Sequence, residues 1–132
     1  MVYAVMIKLT SVYVDDQDKA IKYYTEVLGF KKKSDFPVGQ FKWLTVVSSE
    51  GQDDVELLLE PNDNPLALTY QNALFEQGIS AAAFEVKDIK GEAERLSKKG
   101  VAFTMEPTDA GTSIIAVFDD TCGNLIQIYQ IK

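Results

Sequence analysis

The sequence predicts an α+β fold made of two successive βαβββ units within a single domain of residues 1–132. Two observations lead to this prediction. The chain repeats a pattern of residue types at a nearly constant offset, and each copy runs from a β-rich segment through one helical pattern to further β-rich segments. The matching positions are Val14 and Val86 (86 − 14 = 72), Asp16 and Asp88 (72), Gly29 and Gly100 (71), and Pro37 and Pro107 (70).

The strand predictions rest on segments that alternate apolar and polar residues or run continuously apolar. One helix for every four strands leaves one face of each sheet free to pack on a partner or to surround a ligand. The lysines at 31–33 are typical of an exposed edge strand. The eight predicted strands are 6–14, 30–36, 41–48, 55–60, 81–87, 101–105, 112–118 and 125–131.

Each unit also carries a helical stripe with start and stop signals. Asp16 and Asp88 are predicted N-caps, and Gly29 and Gly100 are predicted to end the helices. Residues 61–80 join the two repeats (1–60 and 81–132), as a loop followed by a short helix over 69–78 that ends at Gly78. The apolar stripes are Ala20, Ile21, Tyr24, Val27 and Leu28 in the first unit and Ile89, Ala93 and Leu96 in the second.

Composition excludes several classes of function. The chain has no His and a single Cys, which removes His-based catalysis, thiolate clusters and His-ligated metals. A net charge of −7 disfavours nucleic acid and anionic membranes as partners and favours a neutral or cationic small molecule. No apolar run is long enough to span a membrane and no signal peptide is evident, so we expect a cytoplasmic location.

Three segments resemble the vicinal oxygen chelate superfamily, which includes glyoxalase I, extradiol dioxygenases and the fosfomycin- and bleomycin-resistance proteins. They are YVDDQDKAIKYYTEVLGF, AFEVKDIKGEAERLSKKGV and FDDTCGNLIQI. In the last of these, Thr121 and Cys122 stand where the family usually has Pro and Asp. The resemblance covers nearly the whole chain and implies curved mixed sheets around a pocket.

The resemblance also implies where a metal would be held in related enzymes. Leu9 and Ala81 occupy the positions of the family's His ligands. Gln127 occupies one Glu position, and Glu56 the other, with Glu60 as the alternative register. The repeat supports pairing Glu56 with Gln127 (127 − 56 = 71). Since Leu and Ala offer no ligand atom, the expectation is no metal and no cofactor.

Period-two alternation places these positions on faces shared with further candidate residues. Structural roles remain open beside the functional ones. Gln127 could simply hydrogen-bond Glu56 or a neighbouring strand, Trp43 could belong to the core, and Tyr13 and Tyr129 could be packing residues. The turn residue Cys122 is expected to be a tolerated substitution and not a nucleophile. The predicted ligand-binding residues are Leu9, Ser11, Tyr13, Trp43, Glu56, Leu58, Ala81, Gln127 and Tyr129.

The leading functional hypothesis is a metal-independent protein that binds or sequesters a neutral or cationic ligand in an acidic, aromatic-lined pocket. The resemblance to bleomycin-resistance proteins implies a homodimer with the ligand in a groove between subunits. The alternative is a lyase, isomerase or dioxygenase-like enzyme with Glu56 as general base and Tyr129 or Gln127 polarising a carbonyl or orienting water. A third hypothesis is weak metal binding by Glu56, Glu60 or Glu85.

Overall fold

The computed structural model describes residues 4–132 and contains the predicted strands in the predicted order. The first half comprises β1 (Leu9–Val14), α1 (Gln17–Lys22) continued by a π-helical turn (Tyr23–Val27), β2 (Lys31–Val38), β3 (Phe41–Val47) and β4 (Glu56–Pro61). Helix α2 (Pro65–Glu76) follows, and then β5 (Ala82–Glu85), α3 (Ile89–Lys98), β6 (Phe103–Asp109), β7 (Ser113–Asp119) and β8 (Leu125–Ile131).

The strands form two four-stranded mixed sheets with the same topology. Sheet 1 has the order β1-β4-β3-β2, and sheet 2 has the order β5-β8-β7-β6. The first strand of each half runs parallel to the last, and the remaining pairs are antiparallel. The predicted α+β fold of two βαβββ units is therefore confirmed. Strand β2, which carries the lysines at 31–33, lies at an edge of sheet 1 as expected.

Several element boundaries differ from those predicted, and the largest shifts are at β1, at α2 and at β6, which ends at Asp109 and not at residue 105. Strand β1 begins at Leu9 and not at residue 6, because the parallel pairing with β4 begins at the Leu9–Glu56 pair. Val5, Met6 and Ile7 are exposed. Helix α2 begins at Pro65, four residues before the predicted helical segment 69–78, because the side chain of Asn64 caps it through the amide of Leu66 at 2.9 Å.

The first helix lies where its sequence pattern predicts. Asp16 Oδ1 accepts from the amides of Asp18 and Lys19 at 3.0 and 3.2 Å, which caps α1. Tyr24 lies with its side chain fully buried in the first core cluster. Gly29 follows the π-helical turn with a φ of +90°, a conformation that favours glycine. The cluster consists of Val12, Val14, Ala20, Tyr24, Leu44, Val46, Leu57, Leu59 and Cys122.

The second half repeats this arrangement around α3. Asp88 Oδ1 accepts from the amide of Gly91 at 3.1 Å, and the predicted apolar stripe of the helix is buried. The second core cluster consists of Ile89, Leu96, Ala116, Phe118, Ile126 and Ile128. Tyr23, Leu28, Ala82 and Phe84 pack against both clusters, so the halves meet through their helix-covered sides. The other face of each sheet, the open face, is not covered by α1 or α3.

A buried polar network connects α1, α2 and the turn between β7 and β8. Tyr24 donates to Asp120 Oδ2 at 2.7 Å, and Asp120 also accepts from the amides of Cys122 and Asn124. Gln71 Nε2 donates to the Tyr13 carbonyl at 2.9 Å and to Asn124 Oδ1 at 3.1 Å. These bonds satisfy groups that would be costly to bury unpaired, and they fix α2 to the second half.

No helix between residues 4 and 132 combines the length and apolar character that crossing a membrane requires.

Candidate functional site

On the open face of sheet 1, the strand register places predicted site residues directly opposite one another. Leu9 lies opposite Glu56, and Ser11 lies opposite Leu58. Leu58 is 5% exposed, whereas Leu9 is 44% exposed. This face therefore has a buried apolar position at Leu58 and an exposed one at Leu9.

Glu56 is held by a neighbour that was not predicted as a site residue. Thr45 Oγ1 donates to Glu56 Oε1 at 2.7 Å, and the amide of Ser34 donates to the same Oγ1 at 3.1 Å. The Ser34 amide is directed to this hydroxyl where the β2–β3 register shifts between Lys32 and Ser34. The Thr45 hydroxyl thus accepts a hydrogen bond from the Ser34 amide and donates its proton to the carboxylate of Glu56. Within residues 4–132, Glu56 Oε2 has no hydrogen-bond partner.

An aromatic pair lies on the same face of sheet 1, further along β2 and β3 from Glu56. Trp43 and Phe36 are register partners, and their rings stack at a centroid distance of 6.4 Å and an angle of 23°. Trp43 belongs to neither of the two core clusters, and Phe36 is 51% exposed. This placement favours a role as a binding wall over a role in the core.

On the open face of sheet 2, Gln127 lies between Ala83 and Val117, and Tyr129 lies between Glu85 and Ile115. Gln127 and Tyr129 are half-buried. Within residues 4–132 the structure shows no side-chain hydrogen bond from Gln127, and the carboxylate of Glu56 is bound by Thr45. The hydrogen bond between Gln127 and Glu56 considered from the sequence is therefore not formed within the described part of the chain.

The strand register corrects the predicted equivalence of Glu56 and Gln127. Ser11 and Ala83 are 72 residues apart (83 − 11), and their register partners are Leu58 and Gln127. Thr45 and Val117, also 72 apart (117 − 45), pair with the same two residues. Leu58, at an offset of 69 (127 − 58), is thus the structural counterpart of Gln127. Glu56 lies two residues earlier on the same face.

With this register, the side chains at the expected metal-ligand positions are even less suited to binding a metal. The four positions at which the resemblance implies metal ligands are then Leu9, Leu58, Ala81 and Gln127, which together offer one neutral amide. Tight binding of a first-row metal needs several imidazole, thiolate or carboxylate ligands. Among the described residues, no three His, Cys, Asp or Glu side chains lie close enough to share an ion. The residues present do not fit the metal of the family's enzymes.

A small cleft brings three of the predicted residues together. Ser11, Tyr13 and Ala81 line a space of about 210 Å³ beside α2. Its remaining walls include Tyr70, Leu74 and the buried side chains of Gln71 and Asn124. The contribution of α2 was not predicted, although an amide side chain at Gln71 in a largely apolar helical segment is a signal for a buried polar contact. Neither this cleft nor the larger one described below contains Glu56 or Gln127.

The single cysteine is part of the core. Cys122 is buried in the first core cluster. Burial, followed by the charge of Asp120, raises the pKa of its thiol to about 12. Burial also raises the pKa of Asp120, although hydrogen bonds from Tyr24 and Asn124 act in the opposite direction. The thiol is therefore protonated at neutral pH and is not available as a nucleophile.

The fold and this site together define a member of a large superfamily of paired βαβββ proteins. The family model for the Glyoxalase/Bleomycin resistance protein/Dioxygenase superfamily matches residues 6–128. The chain belongs to this superfamily, as the three sequence segments predicted.

Individual relatives extend this result. The Bacillus subtilis (strain 168) protein YurT, described as uncharacterized, is 57% identical over 124 residues, which cover 94% of this chain and 98% of YurT. The crystal structure of UcmS2 matches with a TM-score of 0.83 and 28% identity, over 96% of this chain and 98% of UcmS2. TnmS3 from Streptomyces sp. CB03234, described as an antibiotic binding protein, matches over 100% of both chains with a TM-score of 0.79 and 26% identity.

Proposed function

We propose that the protein is a metal-independent binding protein for a neutral or cationic small molecule, held between open sheet faces. The observation that carries the proposal is the chemistry of the four family ligand positions. They hold Leu9, Leu58, Ala81 and Gln127, so a surface that holds a metal in related enzymes is here apolar with one amide. Apolar walls with a few placed polar groups are the usual composition of a small-molecule site.

Charge and aromatic surface support a preference for cations. The chain carries a net charge of −7. On the open face of sheet 1, the Thr45 hydroxyl fixes one carboxylate oxygen of Glu56, and no side chain of the described residues binds the other. The stacked pair of Trp43 and Phe36 adds aromatic surface, and aromatic faces attract cations. The full-length likeness to TnmS3 supports the same class of function, since that protein is described as binding an antibiotic.

We further propose that two copies of the chain complete the pocket as a symmetric homodimer. The candidate residues divide between two open faces, with Glu56 and Trp43 on sheet 1 and Gln127 and Tyr129 on sheet 2. Exposed apolar side chains at the margins, among them Leu9, Phe36 and Ile131, are available to an interface. A stable interface needs about 1,200–2,000 Å² of buried surface. Light scattering at micromolar concentration should give the mass of a dimer, and a monomer mass would contradict this arrangement.

The binding function is tested by a screen in which the fluorescence of Trp43, the single Trp of the chain, reports occupancy. Hits should be amphiphilic cations or neutral compounds, and each should be recovered unchanged after prolonged incubation. Compounds that quench free tryptophan equally are discarded. The proposal fails if no hit saturates the protein, or if saturating hits are converted to product.

Conversion of a hit would favour the alternative, an enzyme of the superfamily that uses Glu56 as a general base. The observation behind this alternative is again the Thr45 contact, since a positioned carboxylate with one free oxygen can accept a proton from a bound substrate. Glu56→Gln would then abolish turnover while leaving binding of neutral substrates largely intact. A pure binding protein would show no turnover in either form.

A further inference from the structure

A second and larger cleft lies at the junction of the two halves. Its volume is about 870 Å³, which is within the range of about 300–1,000 Å³ typical of small-molecule sites. It is bounded by Leu28–Phe30, the connection after β3, strand β5 and the start of α3. We call it the junction cleft. None of the nine predicted ligand-binding residues lines it.

The internal repeat relates the junction cleft to a second region, formed by Tyr24, Asp15 and the turn at 120–124, in which side chains leave no cleft. We call it the sealed region. In the sealed region, the Asp15 amide donates to the Cys122 carbonyl at 3.2 Å. At an offset of 72 (15 + 72 = 87; 122 − 72 = 50), the corresponding residues are Lys87 and Glu50. Their side chains approach at 3.9 Å, and both residues line the junction cleft. The repeat therefore relates the two regions directly.

Two differences in residue type between the halves, together with a longer loop, explain why only one of the two regions is sealed. The sealed region is filled by Tyr24, which donates to Asp120 at 2.7 Å. At the same offset (24 + 72 = 96; 120 − 72 = 48), the junction cleft has Leu96 and Ser48, which are smaller and form no such bond. The connection between β3 and β4 has eight residues (48–55), whereas that between β7 and β8 has five (120–124). Less side-chain volume under a longer loop leaves the space open.

The walls of the junction cleft are aromatic and its rim is acidic. Phe30 and Phe84 are half-buried and meet edge to face at 5.2 Å, and Phe118 lies behind them, fully buried in the second core cluster. The rim carries four carboxylates and two cations, a net charge of −2: Glu50, Glu85, Asp88 and Glu92 against Lys87 and Arg95.

The two rim cations are already paired. Arg95 bonds Glu92 at 2.7 Å and the Val27 carbonyl at 3.2 Å, and Lys87 faces Glu50. Asp88 is engaged as the cap of α3. Glu85 is exposed and has no ion-pair partner within residues 4–132. The charge left unbalanced at the rim is negative, above a floor of aromatic carbon.

We propose that the junction cleft binds a hydrophobic organic cation, with its apolar body against the half-buried rings of Phe30 and Phe84 and its ammonium group at the acidic rim, where Glu85 lies at the edge strand β5. Aromatic rings attract such cations, and the neighbouring carboxylate adds to that attraction. This site differs from the pocket proposed on the open faces in its floor, which belongs to the helix-covered face of sheet 2, while Glu85 on the edge strand β5 borders both. It goes beyond the proposed function and does not depend on it.

The test is titration of the full-length protein with benzyltrimethylammonium, followed by two-dimensional amide NMR. The amides of Leu28, Phe84 and Gly91 should shift with saturation at a Kd of about 1–5 mM, the value for a ligand of this size at ordinary efficiency. The indole signal of Trp43 serves as the reporter of the open face. Benzoate, an anion of similar size, should produce no saturable shift at the junction amides.

Two variants and a matched control locate the site. Ser48→Phe should fill the cleft and weaken binding at least fivefold, and Ser48 is exposed at the end of β3, so the substitution is compatible with folding. Glu85→Gln should weaken binding about two- to fivefold, the range for a partly exposed cation contact. Glu94→Gln removes an equal charge from the exposed surface of α3, away from the cleft, and should have no effect.

Several results would overturn the inference. Shifts confined to the Trp43 indole and its open face would place the cation in the open-face pocket, supporting the proposed function and refuting the junction site. The absence of saturation at the junction amides, equal shifts with benzoate, or unchanged affinity in Ser48→Phe would each refute the junction site while leaving the proposed function to its own test.

Discussion

Thr45 and Glu56 are joined by a hydrogen bond of 2.7 Å from the hydroxyl of Thr45 to the carboxylate of Glu56. Thr45 is fully buried and accepts from the amide of Ser34 through the same oxygen. The shifted register of the edge strand β2 thus determines which way a buried hydroxyl points. That hydroxyl in turn determines how an acidic side chain on the open face is held.

Replacing Thr45 by Val should lower the free energy of unfolding by about 1–3 kcal/mol. Val matches Thr in shape, but the Ser34 amide and one oxygen of Glu56 would lose their partner inside the protein. Urea unfolding measures the change. Thr45→Ser keeps the hydroxyl and should lose less stability than the Val variant. Equal losses in the two variants would show that the hydroxyl is not responsible.

Replacing Glu56 by Gln should weaken binding of a cationic ligand found in the Trp43 screen by about 1–3 kcal/mol, the cost of losing a charge-assisted contact. The fold should remain intact, because an amide oxygen can still accept from Thr45. Neutral hits should bind the variant and the parent protein almost equally. Unchanged affinity for the cationic ligand would argue against an acidic pocket on this face.

The register of sheet 1 predicts which substitutions restore a metal site. A variant with Leu9→His, Leu58→Glu, Ala81→His and Gln127→Glu supplies two imidazoles and two carboxylates, a set typical of divalent metal sites. Elemental analysis after dialysis should find about one zinc per site in this variant and none in the parent protein. The matched control omits Leu58→Glu and relies on Glu56. Equal metal content in that control would show that Glu56, and not Leu58, is the counterpart of Gln127.

A substitution at Gly123 tests how tightly Gln71 of α2 packs against the turn at 120–124. It has a φ of +101°, and a Cβ at this position would lie 2.7 Å from Gln71 Nε2. Gly111 has a similar φ of +98° with open space around it. Gly123→Ala should therefore cost more stability than Gly111→Ala, by about 1–2 kcal/mol, because displacing Gln71 leaves buried groups unpaired. Chemical unfolding compares the two variants, and equal losses would mean that backbone strain alone accounts for the effect.

Cys122 should be nearly inert in the folded protein. Its thiol is buried and has its pKa raised to about 12, so only a very small fraction is thiolate at neutral pH. Alkylation by iodoacetamide at pH 7 should be slow under native conditions and fast in concentrated urea. Rapid native labelling would show that the turn at 120–124 opens frequently.

Most of the fold follows from local chemistry in the sequence. Alternation of apolar residues locates the strands, and the side chains of Asp16 and Asp88 cap the two helices as predicted. The start of α2 was missed because Asn64 and Pro65 were taken as loop residues, although this pair is also a typical cap and first turn. The start of β1 was missed because a strand needs a neighbour, and β4 offers none before Glu56.

The candidate site was harder to predict because register is a long-range property. The faces of Glu56, Leu58 and Gln127 follow from period-two alternation and are as predicted. The pairing of Glu56 with Gln127 failed because the connection before β4 is three residues longer than the one before β8. This difference reduces the repeat offset from 72 to 69, and composition alone does not reveal which loop carries the extra length.

The two connections of unequal length, 48–55 and 120–124, also differ in how well they should tolerate an inserted sequence. The turn at 120–124 is bound to Tyr24, Gln71 and the backbone of Asp15, so an inserted peptide there would separate α1 and α2 from the second half. The connection at 48–55 is mostly exposed and borders an open cleft. A reporter domain or affinity tag should be tolerated at this connection, where it would lie at the mouth of the junction cleft and could signal its occupancy.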